Sequence, residues 1–183
     1  MNFTVESGVV YLAAFLIVNI IIFIIFPKHY RKKLFAVPSF NNKFELIFSG
    51  AYALLFNGTL LYSIFIPLSA DMPLKIIGTM TYLISLSLFV IALHNYAYAP
   101  KNLPVTTGIY KYSRNPQQIL ASVMWLGVGI SLGSIVVCLS VIIQLIILYP
   151  SIIAQEKFCI KHYGKTYSEY MKHTSRYFGR YKK

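Results

Sequence analysis

The chain has 183 residues, 57% hydrophobic and only 12% charged, with a mean hydropathy of +0.62. A soluble domain carries about twice that charged fraction, so composition excludes an ordinary soluble globule and points to an integral membrane protein. Seventeen Lys and Arg against five acidic residues give a net charge of +12, yet the cations cluster beside apolar runs, which suits anionic lipid rather than nucleic acid.

Gly8 to Phe26 is an apolar run of 19 residues, enough for one span. No Lys or Arg precedes it, as a secretory signal would require, so it is expected to be retained. Pro27 ends it, and a basic stretch from Lys28 to Lys33 follows. Leu46 to Leu68 is the second expected span, closed by Pro67 and the connector Ser69–Pro73, and Leu74 to Ala99 is the third, stopped by Pro100. Ile119–Leu132 and Ile135–Ile153 meet at Gly133-Ser134 and read as a helical hairpin. The expected fold is therefore all-α: a polytopic helical membrane protein with about five transmembrane helices and a cytoplasmic helical tail. Residues 1–183 form one integral membrane domain in this scheme, with three N-terminal spans over 1–100 and a loop, hairpin and tail over 101–183. With the N-terminus outside, 16 of the 17 basic residues face the cytoplasm and only Lys75 does not, as the positive-inside rule demands. In the tail, Gly164 is placed to end one helix before another over Thr166–Lys172. Tyr163, Tyr167, Tyr170, Tyr177 and Tyr181 alternate there with basic residues, the pattern of an interfacial aromatic belt.

Between the third span and the hairpin lies the longest stretch without an apolar stripe, Asn102 to Gln118. It ends in a helix-start signal, with Asn115 placed to cap and Pro116 at the first helical position. The free N–H groups of such a helix make a seat for an anion, and Arg114 stands immediately before it.

Each chemistry-bearing residue has a plainer alternative. Arg114 is either a positive-inside anchor or part of the anion seat. Tyr110 and Tyr112 are either belt residues or a wall for a flat ligand such as a nucleobase. Glu156 is the only acid between Asp71 and Glu169 and sits among cations at the end of the last span, a functional candidate unless it simply pairs with a basic neighbour. Gln155 beside it offers both donors and acceptors. His94 reads as a packing residue, and His29, His162 and His173 as surface residues; no two histidines share a metal spacing, so no metal is expected. Cys138 and Cys159 lie far from any CxxC or CxxH spacing and read as small apolar residues. Gly129 and Gly133 form a GxxxG that signals close helix packing, and no strand precedes them to make a dinucleotide fingerprint.

Two separated motifs, Thr107-Gly-Ile-Tyr-Lys-Tyr-Ser-Arg-Asn-Pro-Gln-Gln118 and then Gln155-Glu156 with Tyr163-Gly164-Lys-Thr-Tyr167-Ser-Glu-Tyr170, read as a set. The set resembles the integral-membrane methyltransferases that include isoprenylcysteine carboxyl methyltransferases and phospholipid N-methyltransferases, over about Asn102 to Tyr177. The resemblance implies S-adenosylmethionine bound on the cytoplasmic side between loop, hairpin and tail. By position it implies that Asn102, Leu103, Pro104, Val105, Tyr110, Asn115, Pro116, Gln117 and Gln118 line the cofactor pocket. Gln155 and Glu156 stand where the family has paired acids, and Arg114 and Glu156 are the residues expected at the catalytic centre. The departures are Gln118 for Tyr, Gln155 for Glu, Cys159 for Leu and Tyr163 for Phe. Ser151 replaces an Arg that helps prenylcysteine enzymes hold substrate, which argues against a prenylcysteine carboxylate. Methyl transfer from a sulfonium needs positioning and desolvation more than acid–base groups, and the methionine carboxylate suits a helix N-terminus with an Arg nearby. The methyl acceptor implied is lipophilic or small (a carboxylate, amine or thiol) and could arrive laterally from the bilayer. The alternatives are an NADPH-dependent membrane sterol-type reductase, which would want more cations than Lys101, Lys111 and Arg114 supply, and a non-catalytic scaffold of the same fold.

Overall fold

The computed structural model describes residues 7–28, 43–100 and 102–179. These form six α-helices, α1 (Val9–Ile25), α2 (Lys43–Ile64), α3 (Met72–Ala97), α4 (Pro116–Leu132), α5 (Ile135–Tyr163) and α6 (Lys165–His173), with one 3₁₀ turn at Gly108–Lys111. The described residues contain no β-strand, and the protein is an all-helical membrane protein. Helices α2, α3 and α5 are long and apolar enough to cross a bilayer; α1 and α4 are apolar helices of 17 residues each, near the lower limit for a span. Of the basic stretch after the first run, Arg31, Lys32 and Lys33 lie outside the described residues, as do Lys101 and Tyr181.

Helices α3 and α4 make the closest pair because glycines meet at their crossing. A methyl group built on Gly78 would lie 2.4 Å from the Ser131 backbone nitrogen and 2.5 Å from the Gly127 carbonyl oxygen. One built on Gly127 would lie 2.7 Å from the Gly78 carbonyl. Lipid gives apolar side chains no reason to leave it, so such backbone-to-backbone packing supplies the dispersion that joins membrane helices. Around the crossing, Tyr82, Leu86, Met124, Trp125, Val128 and Leu132 form a core with Tyr11 of α1 and Val141 of α5. The rings of Phe15 and Phe56 stand edge-on to Trp125, bringing α1 and α2 against the same centre.

Polar side chains tie the bundle where apolar surface cannot. The Tyr11 hydroxyl bonds both Thr79 and Ser131, and the Tyr82 hydroxyl donates to the Tyr11 carbonyl at 2.6 Å. Between α2 and α5, Gln144 Nε2 donates to Thr59 Oγ1 at 3.0 Å, and Ser49 meets Ser151 at 2.7 Å. Ser151, at the position where a substrate-binding Arg was considered, is thus a buried helix-to-helix contact. His94 stacks on Tyr98 at 4.4 Å and stands edge-on to Phe26, but both His94 and Tyr98 are exposed, so its ring contacts lie on the surface of the bundle rather than in its core.

The expected hairpin forms, with Gly133 at φ +64° closing α4 and the Ser134 hydroxyl accepting the Val137 N–H to start α5. Gly129 supplies the close packing expected of the GxxxG, since a methyl there would lie 2.7 Å from Cys138 Sγ. One boundary differs. Ile153 does not end the last helix, which runs through Pro150 for 29 residues to Tyr163. The polar side chains after Ile153 reflect a change of surroundings rather than of backbone, and at 1.5 Å per residue the helix is about 43 Å long, beyond the roughly 30 Å of hydrocarbon. Gly164 then separates it from α6, as the tail pattern indicated.

Candidate functional site

The site lies where the loop before α4, the end of α5 and the segment after α6 converge. Gly108 takes a φ of +61° directly against Asn95, whose side-chain oxygen accepts the Ile109 N–H at 3.1 Å. That contact pins the 3₁₀ turn to α3 and turns Tyr110 inward. Tyr110 is buried in a cluster with Ala92 and Leu120, with Val105 packed against it, and stacks on Tyr96. Tyr112, its partner in the sequence pattern, is exposed.

Helix α4 begins at Pro116, as expected, but the Asn115 side chain does not cap it. Its Nδ2 donates instead to the Arg176 carbonyl at 3.1 Å, and the Ser113 hydroxyl accepts the Asn115 backbone N–H at 3.1 Å. The side chain is committed to a tertiary partner, as donor, in place of accepting from the helix. The α4 side chains therefore leave its first N–H groups free to face a ligand. Further backbone bonds, Arg114 N–H to the Ser175 carbonyl at 3.0 Å and Gly179 N–H to the Tyr112 carbonyl at 3.1 Å, lay the chain after α6 along the loop. The Tyr170 hydroxyl donates to the Tyr110 carbonyl at 2.6 Å and locks the same junction.

At the centre is Glu156, only 3% exposed and held from two sides. Arg114 Nη2 reaches its Oε1 at 3.2 Å. Arg176 engages both oxygens, Nε at 3.2 Å from Oε1 and 3.1 Å from Oε2, and Nη2 at 2.9 Å from Oε2. The pairing considered for Glu156 exists, but with cations 42 residues before it and 20 after it rather than with a helical neighbour. Glu156 also holds the Arg176 guanidinium protonated to higher pH than usual, through the hydrogen bond and then the opposite charge.

Arg114 is more deeply placed than an anchor would be, with a side chain 8% exposed. Its Nε and Nη1 are buried without hydrogen-bond partners, and so are Gln117 Nε2 on the first turn of α4 and Thr174 Oγ1, which adjoins the Ser175 that accepts from Arg114. A buried donor without an acceptor costs about 1–3 kcal/mol, so several together mark a place built for an acceptor-bearing group. Two guanidinium charges against one carboxylate also leave the triad one positive charge in excess.

The remaining expected residues divide. Gln118 Nε2 donates to Gln155 Oε1 at 3.1 Å, so two of the four departures from the motif meet each other. Pro104 and Pro116 are buried, while Asn102 and Leu103 are exposed. Tyr167 and Tyr170 are buried against the site rather than spread along an interface, and burial pushes both phenols well above their ordinary range. Arg176 escapes a reading from sequence because the tail shows only alternating aromatic and basic residues, and Tyr167 and Tyr170 enter it as motif residues without a place at the site. The one available signal was a lone acid, Glu156, that needed a cation to be buried. No group of three or more His, Cys, Asp or Glu among the described residues is arranged to hold a metal.

No curated protein and no solved structure matches the chain. A family model described as phospholipid methyltransferase matches residues 72–166, from the first residue of α3 through the loop, Arg114, the hairpin and Glu156 to the start of α6. That span is just over half of the 183 residues and holds the loop and hairpin parts of the site, so the chain belongs to the phospholipid methyltransferase family.

Proposed function

We propose that the protein is an S-adenosylmethionine-dependent methyltransferase that works at the cytoplasmic membrane surface on a lipophilic acceptor drawn from the bilayer. The observation that carries this reading is the buried, unpartnered edge of Arg114 at the start of α4, inside the segment matched by a methyltransferase family. A carboxylate fits there. It would take the Arg114 Nε and Nη1 hydrogens and the free N–H groups of the first α4 turn, and would balance the excess charge. When bound, S-adenosylmethionine supplies an electrophilic methyl group on a sulfonium.

The chain's own residues then bind, orient and exclude water. Arg114, Asn115, Pro116, Gln117 and Gln118 hold the methionine end, and the Gln118–Gln155 amide pair presents neutral donors and acceptors to the ribose. Asn102, Leu103, Pro104, Val105 and Tyr110 flank the adenosine. Glu156 keeps Arg114 buried at low cost by partial neutralisation. Tyr110, Tyr167 and Tyr170 are neutral, buried and bulky, and keep water from the transfer, a displacement that gains most from positioning and desolvation.

Depth favours a bilayer-borne acceptor. Glu156 lies 21 residues beyond Ile135, about 31 Å along α5, close to the full hydrocarbon thickness. The orientation that follows from the basic residues puts this end in the cytoplasm and Ser69–Pro73 outside. Calorimetry of the purified protein with S-adenosylhomocysteine and with NADPH tests the assignment. Binding of the first and not the second is expected; tighter binding of NADPH would move the protein to a reductase chemistry. An impermeant thiol reagent should reach a cysteine placed in Ser69–Pro73 from outside, and labelling of the Lys111–Arg114 loop from that side would reverse the orientation.

A further inference from the structure

Arg176 lies beyond the segment that the family match covers, and nothing in its local sequence separates it from the other tail cations. Its contacts do. The main-chain carbonyl receives Asn115 Nδ2 at the start of α4, while the side chain clasps Glu156 at the end of α5. We infer that Arg176 is a positioning residue for the carboxylate seat: by occupying Glu156 it keeps the Arg114 edge open and keeps the triad cationic. This rests on the proposed binding of a methionine carboxylate at Arg114.

The reasoning is a competition for one carboxylate. Glu156 has two oxygens, and Arg114 and a carboxylate make their strongest pair as a two-pronged fork. In the structure that fork does not form. Arg114 contributes a single contact to Oε1, through Nη2, while Arg176 makes three, spread over both oxygens. Arg114 Nε and Nη1 are thereby left unpartnered. Without Arg176, Glu156 is free to turn both oxygens on Arg114, fill the donors a ligand would use and bring the pair to zero net charge. An anion would then meet a neutral, occupied site.

Arg176 is anchored well enough for this task. The Ser175 carbonyl and Gly179 N–H bond the loop on either side of it, and Tyr149 lies under its guanidinium at 5.5 Å from the ring centre. Its side chain is 29% exposed against 8% for Arg114, so it backs the seat from the solvent side while the seat itself stays buried.

The test uses full-length protein in detergent and two ligands, S-adenosylhomocysteine and the same molecule with hydrogen in place of its carboxylate. Wild type should bind the carboxylated ligand more tightly, and Arg176→Gln should lower that affinity by roughly tenfold or more while changing the decarboxylated ligand by less than about twofold. Arg176→Lys restores the charge without the fork, and its discrimination between the ligands should stay within about threefold of wild type. Equal loss of both ligands in Arg176→Gln, or no loss of either, overturns the inference, because a purely structural role moves both affinities together. If Arg176→Gln does not fold, Arg176→Lys carries the test, and a collapse of its discrimination counts against the role of charge. Failure of the wild type to bind S-adenosylhomocysteine would instead overturn the cofactor reading, and this inference with it.

Discussion

The α3–α4 crossing and the loop–tail clasp are held together by opposite means. At the crossing, Gly78 and Gly127 remove side chains so that backbones touch, and the surrounding core is apolar. At the clasp, two arginines, one glutamate, the Tyr170 hydroxyl and a run of backbone bonds do the joining. The first is a matter of shape and tolerates no added atom. The second is a matter of charge and hydrogen bonding and tolerates no missing one. A bilayer accounts for the division, since packing is the main force between helices within it, whereas charge needs the surface where arginine can be solvated before it is buried.

The sharpest way to break the comparison is to add bulk at the crossing. Gly78→Val pushes side-chain atoms against the Ser131 and Gly127 backbones, where nothing flexible can yield, and should abolish a monodisperse folded protein in detergent. A normal size-exclusion profile and melting temperature would mean that the helices are not in contact as described. Glu156→Gln comes next, leaving the buried Arg114 and the part-exposed Arg176 without a counter-charge, at a cost of up to about 3–5 kcal/mol for the buried member. Its effect should be confined to the clasp: faster hydrogen exchange over 174–179 and at least a roughly tenfold weaker affinity for S-adenosylhomocysteine, with the α3–α4 amides still protected. Exchange that accelerates equally in both regions would erase the distinction.

Smaller changes sharpen it. Tyr170→Phe removes the 2.6 Å bond to the Tyr110 carbonyl and should destabilise the clasp by about 1–3 kcal/mol, read as increased protease sensitivity of the tail. Alkali should reach the same place. Burial raises the Tyr167 and Tyr170 phenols above the ordinary value of 10.0, so the folded clasp keeps protons that the open chain gives up. Its stability is therefore complete below about pH 10 and falls as pH rises through the elevated folded values. The Tyr170→Phe protein should show a shallower alkaline loss than wild type. At the other extreme, Gly58 on α2 has open space where a methyl would go, and Gly58→Ala should leave the melting temperature unchanged or raise it, by no more than about 1 kcal/mol in stability. A marked loss there would reveal a partner for that face.

Most of the helical framework was legible because apolar runs, prolines and glycines are local signals. Pro116, Gly133 and Gly164 each mark a helix boundary where the pattern places one. The end of the last span was not legible, because a helix that leaves lipid changes its side chains without changing its hydrogen bonds. Within the site, Arg114 and Glu156 stood out as charges in unusual places, and the structure joins them at 3.2 Å. Asn115 departs from its local pattern in one respect. A capping residue is defined by its neighbours in sequence, but its side chain found the Arg176 carbonyl 61 residues away. Tyr167 and Tyr170 illustrate the same limit: the motif includes both, but a tyrosine beside lysines looks alike whether it faces headgroups or a neighbouring loop.

The clasp also has a consequence for how the molecule is made. Arg176 is translated 62 residues after Arg114 and 20 after Glu156, so α1 to α4 and the loop that carries Arg114 can leave the ribosome before either of the other two charges does. During that interval the loop is an open, basic surface within reach of headgroups and of any passing chaperone. The site becomes itself only when the segment after α6 leaves the ribosome and folds back across the loop. Quality control that sensed an unclosed loop would therefore be sensing whether synthesis had reached the last part of the site.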